Sequence, residues 1–211
     1  ISLKALPGQT TAIIGSTGSG KTTLVNLIPR FYDVTEGQVL VDGVDVRDIT
    51  QYELRNKIGY VPQQSFLFSG TIESNLKYAN ENTSALELRE ASEIAQAMEF
   101  IREKPDGFAS EISQGGTNVS GGQKQRFSIA RALIKKPEIY IFDDSFSALD
   151  FKTDTALRRA LKEKTESSTI IMVSQRISTI MKAEQIIVLD EGRMVGVGNH
   201  NELINNCKTY Q

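Results

Sequence analysis

Short, unbroken apolar runs alternate with segments of helical period along this chain. Thr10 to Ile14, Ile58 to Val61, Ile139 to Phe142, Thr169 to Val173 and Ile186 to Leu189 are the apolar runs. Runs of this length without polar alternation predict parallel strands covered on both faces. Lys21 to Ile28 reads as a helix stopped near Pro29. Thr153 to Lys164 reads as a helix between two strands, in a right-handed crossover. Gln38 to Val41 and Val44 to Val46 flank Asp42-Gly43, a hairpin signal. From about Phe66 to Lys135 the pattern turns helical. Ser84 and Glu87 form a capping box there, followed by Leu88, Ala91 and Ala95 at helical spacing. Phe127, Ala130, Leu133 and Ile134 share one face of a later helix, with Lys135 and Lys136 at its C-terminal end and Pro137 beyond. The expectation is an α/β fold: a core of about 1–65 and 136–211 with a mostly parallel sheet and a small antiparallel part, and a helical sub-domain inserted over about 66–135.

Composition narrows this picture. At 211 residues with 39% apolar content the chain can bury one domain's core. A net charge of −2 argues against a general nucleic-acid binder. The sole cysteine, Cys207, excludes a disulfide framework. The sequence predicts neither a signal peptide nor an apolar run long enough to span a membrane. Ile1 to Leu6 leads almost at once into the first strand, which predicts a longer parent polypeptide.

The chemistry concentrates in three places. Gly15-Ser16-Thr17-Gly18-Ser19-Gly20-Lys21-Thr22 places a glycine, four residues and Gly-Lys-Thr between a strand and a helix. Glycines let such a loop curl its N–H groups toward phosphate oxygens, and the helix start favours the anion. Lys21 can reach terminal phosphates, Thr22 can ligate Mg²⁺, and Thr23 continues the phosphate-binding run. Asp143 and Asp144 follow a buried strand, where open α/β sheets bind ligands, and Asp143 can hold Mg²⁺ through water.

The third place is Asn118-Val119-Ser120-Gly121-Gly122-Gln123. Ser120 can cap the helix that follows, and the glycines leave room for a phosphate. The chain thus carries two anion-binding helix starts in different sub-domains. One nucleotide is not expected to reach both within a single chain, so the natural geometry is a dimer.

This run resembles the signature of ATP-binding cassette (ABC) ATPases, Leu-Ser-Gly-Gly-Gln, with Val119 in place of Leu. Gln63, in Tyr60-Val61-Pro62-Gln63, resembles the Q-loop glutamine, and Ser147-Ala148-Leu149-Asp150 resembles the D-loop. The resemblance covers essentially the whole chain and implies a P-loop NTPase (RecA-like) core. It further implies ATP and Mg²⁺ as cofactors, with Thr22, Gln63 and Asp143 as metal ligands. The implied partners are a second ABC domain and the transmembrane domains of a transporter, at the cytoplasmic face of the cell membrane, with no nucleic acid. Leu67-Phe68-Ser69-Gly70-Thr71-Ile72 with Asn75-Leu76 resembles exporter-type cassettes. Glu111 to Gly116 sits where exporters carry a further contact loop, with Gln114 where Glu is usual. An exposed Phe66, Leu67 and Phe68 would then be a docking patch, against ordinary sub-domain core as the other reading.

Two departures bear on turnover. The family's hydrolytic Glu follows the motif Asp, and here that position is Asp144. Its switch His is here Gln175, in Gln175-Arg176-Ile177-Ser178-Thr179. The catalytic set implied by resemblance is therefore Asp144, Gln175 and Gln63, and it predicts slow turnover. The combination resembles the degenerate half of a heterodimeric exporter, with Ser120 to Gln123 completing the partner's site. Three alternatives stand beside it: a non-hydrolysing regulatory module, a homodimeric ABC ATPase, and a DNA-maintenance ATPase. The last usually carries a long coiled coil, which is missing here. His200 reads as a surface or capping residue, Cys207 as inert, Arg126 and Arg131 as a solvated helix face, and Phe31 and Tyr32 as core.

Overall fold

A computed structural model describes residues 1–211. In chain order the elements begin with β1 (Thr10–Gly15), α1 (Lys21–Asn26), β2 (Leu40–Val41), β3 (Val44–Asp45), α2 (Gln51–Asn56) and β4 (Ile58–Val61). They continue with β5 (Gly70–Thr71), α3 (Ile72–Lys77), α4 (Ala85–Ile94), α5 (Met98–Arg102), β6 (Glu111–Ile112) and α6 (Gly121–Lys135). The chain closes with β7 (Ile139–Asp143), α7 (Phe151–Lys164), β8 (Thr169–Val173), α8 (Ile177–Ile180), β9 (Gln185–Asp190), β10 (Arg193–Gly198) and α9 (His200–Asn206).

Contacts divide the chain into two compact units. The first comprises Ile1–Tyr60, Pro137–Asp144 and Ser167–Gln211. Its sheet has the order β10-β9-β1-β8-β7-β4. β1 runs parallel to both β8 and β9, and β7 runs parallel to β8. Ile13 therefore pairs with Val173 on one side and Ile187 on the other. These residues, with Val25, Leu54 and Ile141, form a buried cluster. Each such side chain stabilises the fold by about 1.5–3 kcal/mol when fully buried. The apolar runs become strands because a central parallel strand has two faces to bury.

β10 is an antiparallel edge strand with alternating burial, joined to β9 through Glu191 and Gly192, both at positive φ. Its glycine-interrupted sequence hides that alternation. A Cβ at Gly196 would lie 2.7 Å from Cys207 Sγ and 3.1 Å from Leu203 Cδ2, so a glycine lets α9 pack closely on β10. Asp42 (φ 53°) and Gly43 (φ 81°) form the predicted tight hairpin turn. α1 ends at Asn26, short of the predicted Ile28. The two-turn α2, capped by Thr50, buries only Leu54 and leaves too little period to detect.

The second unit comprises Val61–Lys136 and Ser145–Glu166. Ser145–Glu166 thus groups by contact with the helical segment, whereas the sequence boundaries assign it to the core. α6 lies at the centre of this unit, packed on α3 and α4, with Phe127, Ile129, Ala130, Leu133 and Ile134 buried. Ser84 and Glu87 make the expected reciprocal cap on α4. α7 begins at Phe151, not Thr153, because the Asp150 side chain accepts from Thr153 N. The segment is not wholly helical: Gly70–Thr71 pairs with Glu111–Ile112 in a short antiparallel ribbon. No helix is long and apolar enough to cross a membrane.

Phe127 is 1% exposed and meets Phe100 edge-to-face at 5.0 Å. Phe127→Ala is expected to lower unfolding free energy by about 3–5 kcal/mol, read by chemical denaturation.

Candidate functional site

Because β1, β8 and β7 are adjacent and parallel, their carboxyl ends share one edge of the sheet. Gly15 onward, Ser174-Gln175 and Asp143-Asp144 emerge there, the edge at which open α/β sheets bind ligands. Gly15 admits no side chain: a Cβ would lie 2.2 Å from Leu189 O and 2.5 Å from Ser19 Oγ. Gly18 (φ 83°) and Gly20 (φ 95°) take left-handed backbone that a larger residue would strain. The loop leaves Ser16, Thr17 and Gly18 exposed and buries Ser19, whose carbonyl accepts from Gly192 N at 3.2 Å.

Lys21 is buried and folds back into this loop. Its Nζ donates to Gly15 O at 2.8 Å and Ser16 O at 2.7 Å, with Ser19 Oγ at 3.5 Å. Burial draws the ammonium pKa down, against the charges of Asp144 and Asp143. A partly desolvated cation inside a loop of backbone dipoles favours an anion with several oxygens.

Asp143 is 2% exposed. Its Oδ1 accepts from Thr22 Oγ1 at 3.0 Å, and its Oδ2 lies 3.2 Å from the Tyr60 hydroxyl. Desolvation pushes this carboxyl above the usual range, opposed by the Thr22 and Tyr60 hydrogen bonds and by Lys21. Burial and the Asp143 charge push the Tyr60 phenol up in turn. A hydroxyl beside a carboxylate is a hard-oxygen pair suited to Mg²⁺. No three His, Cys, Asp or Glu residues gather to hold a metal. Two oxygens do not complete the octahedral shell of Mg²⁺, so a cation at this pair would take its remaining ligands from other oxygens. Asp144 is buried at φ 45°, a region Asp tolerates better than most residues, and its N–H donates to Val173 O at 3.0 Å. Gln175 is exposed. The preceding Ser174 is fixed by its N–H to Ile13 O at 3.1 Å and by Arg176 N at 3.0 Å from its Oγ.

In the second unit, Ser120 and Gln123 form a reciprocal cap on α6. Ser120 and Gly121 are exposed, while a Cβ at Gly122 would lie 3.2 Å from Ala148 O. Ser147 and Ala148 are exposed, Leu149 is buried, and Asp150 caps α7. Gln63 is exposed beside Pro62, whose carbonyl accepts from Gln125 Nε2 at 3.2 Å. Ser65 Oγ donates to Gln125 Oε1 at 2.7 Å, so the Gln63 segment is pinned to α6 at two points.

Several expectations are corrected. Leu67 is fully buried while Phe66 and Phe68 are exposed, so the three do not form one patch. Arg131 does not lie on a solvated face: its guanidinium covers the Phe68 and Tyr78 rings at 5.8 and 5.9 Å and donates to Asn75 O at 2.9 Å. Arg126 likewise lies 4.6 Å from the Phe100 ring and donates to Gln96 O at 2.8 Å. Phe31 and Tyr32 are exposed, not core. His200 opens α9 without capping it: Asn199 is the cap, and His200 Nδ1 meets Tyr210 Oη at 2.8 Å. Cys207 is buried as a free thiol. Sequence reading missed Tyr60 at the site; its signal is a lone hydroxyl in an apolar strand.

Residues 1–147 match the family described as ABC transporter. The chain is 52% identical over its whole length to an uncharacterized ABC transporter ATP-binding protein of Mycobacterium bovis, covering 36% of that protein. It is 43% identical to the ATP-dependent lipid A-core flippase of Desulfotalea psychrophila, covering all of this chain and 37% of that protein. Its identity to a putative multidrug export ATP-binding/permease protein of Bacillus subtilis is 42%, covering all of this chain and 36% of that protein. The structure of a bacterial Atm1-family ABC exporter with ATP bound superposes with a TM-score of 0.96 at 38% identity, covering all of this chain and 37% of that one. The chain thus spans little more than a third of these proteins.

Gly15→Ala is expected to cost about 1–3 kcal/mol of stability through overpacking. It is also expected to weaken ATP binding about tenfold or more, read by titration calorimetry. Asp143→Asn removes a buried charge that the nucleotide-free fold disfavours. It is expected to raise the melting temperature at neutral pH by about 2–4 °C, for a change on the order of 1 kcal/mol. Because the folded-state carboxyl is shifted upward, this gain shrinks as pH falls and the native aspartate takes up its proton. Melting curves across pH check the sign.

Proposed function

The chain belongs to the ABC transporter family, and from that membership we propose that it is the ATP-binding and ATPase domain of an exporter. Binding Mg-ATP would drive its closure against a second such domain, at the cytoplasmic face of the membrane. The observation that carries this reading is the Thr22–Asp143 hydroxyl–carboxylate pair at 3.0 Å, beside a glycine loop closed around Lys21. Backbone from Gly15 to Gly20 would cradle the phosphates, with Thr23 continuing that run. Lys21 would leave its carbonyl partners for the terminal phosphates. Thr22, Asp143 and Gln63 would share the metal with the nucleotide, which supplies the missing oxygen ligands. Ser120, Gly121, Gly122 and Gln123 would present a helix start to the partner's ATP, with Ser147 to Asp150 as the D-loop of the interface. The names of the relatives, a flippase and a multidrug export protein, support transmembrane export by the whole polypeptide.

Its own site would turn over slowly. Asp144 is one methylene shorter than the usual Glu, which sets its carboxylate about 1 Å back from an attacking water and can cost about 10²-fold. Gln175 can hydrogen-bond a phosphate but cannot carry a proton or a positive charge. The chain would then serve as the degenerate half of a heterodimer and assist hydrolysis at its partner's site. The same two residues favour a second reading, a nucleotide-dependent regulatory module that closes without turnover.

The test is ATP turnover by the complete polypeptide, alone and with candidate partners, against an Asp144→Glu, Gln175→His double variant. Wild type alone is expected to be nearly inactive, with turnover raised about 10²-fold or more by a partner or by the double change. Wild-type turnover that the double change does not raise would instead mark a working homodimer. Absence of turnover in the full assembly would favour the regulatory module.

A further inference from the structure

Different elements hold the two oxygens of Asp143. Oδ1 accepts from Thr22 at 3.0 Å, and Oδ2 lies 3.2 Å from the Tyr60 hydroxyl. That hydroxyl also lies 2.9 Å from Asn26 Oδ1. Thr22 and Asn26 are one helical turn apart on α1, so both face the strand end that carries Asp143. A phenol has one proton and cannot donate to a carboxylate and an amide carbonyl together. The ionised carboxylate can only accept, so the hydroxyl donates to Asp143. Asn26 presents its Oδ1 to the same hydroxyl, so the amide anchors the phenol beside the carboxylate, which is the stronger, charged acceptor. The outcome is a phenolic hydroxyl held between Asn26 Oδ1 and Asp143 Oδ2, with Asp143 Oδ1 left toward Thr22.

The ring of Tyr60 is also held in place. Phe31 meets it edge-on at 5.4 Å, and the Arg55 guanidinium lies 5.3 Å from the Phe31 ring. Arg55 is itself tied to Pro29 O at 3.1 Å and Arg30 O at 3.3 Å. The hydroxyl therefore sits at a fixed point between its two acceptors. This also gives the exposed Phe31 a packing role that its burial alone would not suggest.

The geometry points to Tyr60 and Asn26 as positioning residues that set the rotation of the Asp143 carboxylate, so that the oxygen beside Thr22 is presented to the Mg²⁺ of a bound nucleotide. This rests on the Mg-ATP reading proposed above. Both residues act through Asp143 and leave the phosphate loop untouched. Such outer partners of a metal-binding carboxylate typically set about 10–100-fold of metal affinity.

The experiment titrates Mg²⁺ into the full-length protein with a fluorescent ATP analogue. It also measures binding of the analogue in EDTA and the melting temperature of the nucleotide-free protein. Tyr60→Phe keeps the ring and removes the hydroxyl. It is expected to raise the half-saturating Mg²⁺ concentration about tenfold while leaving metal-free binding and melting temperature near wild type. Asn26→Leu is expected to raise it less, and the double variant no more than Tyr60→Phe alone, because the amide acts only through the hydroxyl. If Tyr60→Phe lowers the melting temperature, the Asn26→Leu titration decides. An unchanged Mg²⁺ midpoint in both variants would overturn the proposal. So would equal weakening of metal-free and metal-loaded binding, which marks a purely structural role. Wild-type binding that ignores Mg²⁺ altogether would overturn the underlying Mg-ATP reading, and this one with it.

Discussion

The hydrogen bond from Thr22 to Asp143 joins residues far apart in sequence, and the rest of the site is arranged around it. It forms because three parallel strands end at one edge. β8 pairs with β1 on one side and β7 on the other, in registers that bring Ile13 opposite Val173 and Val173 opposite Asp143. The glycine loop, the acidic pair and Gln175 thus leave the sheet side by side. A shift in any of these pairings would separate the hydroxyl from the carboxylate. The buried apolar cluster beneath fixes the register, because moving a strand also moves its side chains out of that cluster.

The site works against the stability of the fold that supports it. Asp143 and Lys21 are both buried, and burial disfavours the charged form of each. Asp144 adds a left-handed backbone at a residue with a side chain. Buried charges of opposite sign offset one another, and the loop carbonyls take up the ammonium's donors. A multiply charged anion in the loop would give Lys21 a stronger partner than two carbonyls. The strain and desolvation therefore sit where a ligand can relieve them.

The sequence made the parallel strands and the loops between them legible, because a central parallel strand must be apolar throughout and a phosphate loop must be rich in glycine. What it hid had physical reasons. β10 is an edge strand half open to solvent and broken by glycines, so its period is weak. β5 and β6 pair across a long helical stretch, and no local pattern announces a two-residue ribbon. Leu67 is buried while the Phe66 and Phe68 rings meet each other at 5.4 Å on the exposed side, a division that composition cannot express. Arg131 and Arg126 look like surface charges until the folded chain brings aromatic rings and carbonyls against them. Tyr60 and Asn26 matter only through a residue that the chain reaches much later.

The proposed function separates binding from turnover. The groups suited to a nucleotide, Lys21, the glycine loop, Thr22 and Asp143, are joined by hydrogen bonds to one another and to Tyr60 and Gly192. The two residues proposed to slow turnover are Asp144, whose N–H donates to Val173 O and whose charge acts on Lys21, and Gln175, exposed beyond a separately anchored Ser174. On the proposed function, a shorter acid and an uncharged switch residue at these positions would slow chemistry without dismantling the pocket. A domain of the proposed kind would keep its affinity for nucleotide even if its own hydrolytic step were weak. If such a domain pairs with a competent one, as proposed, one site would act as a lasting clamp and the other would reset the cycle.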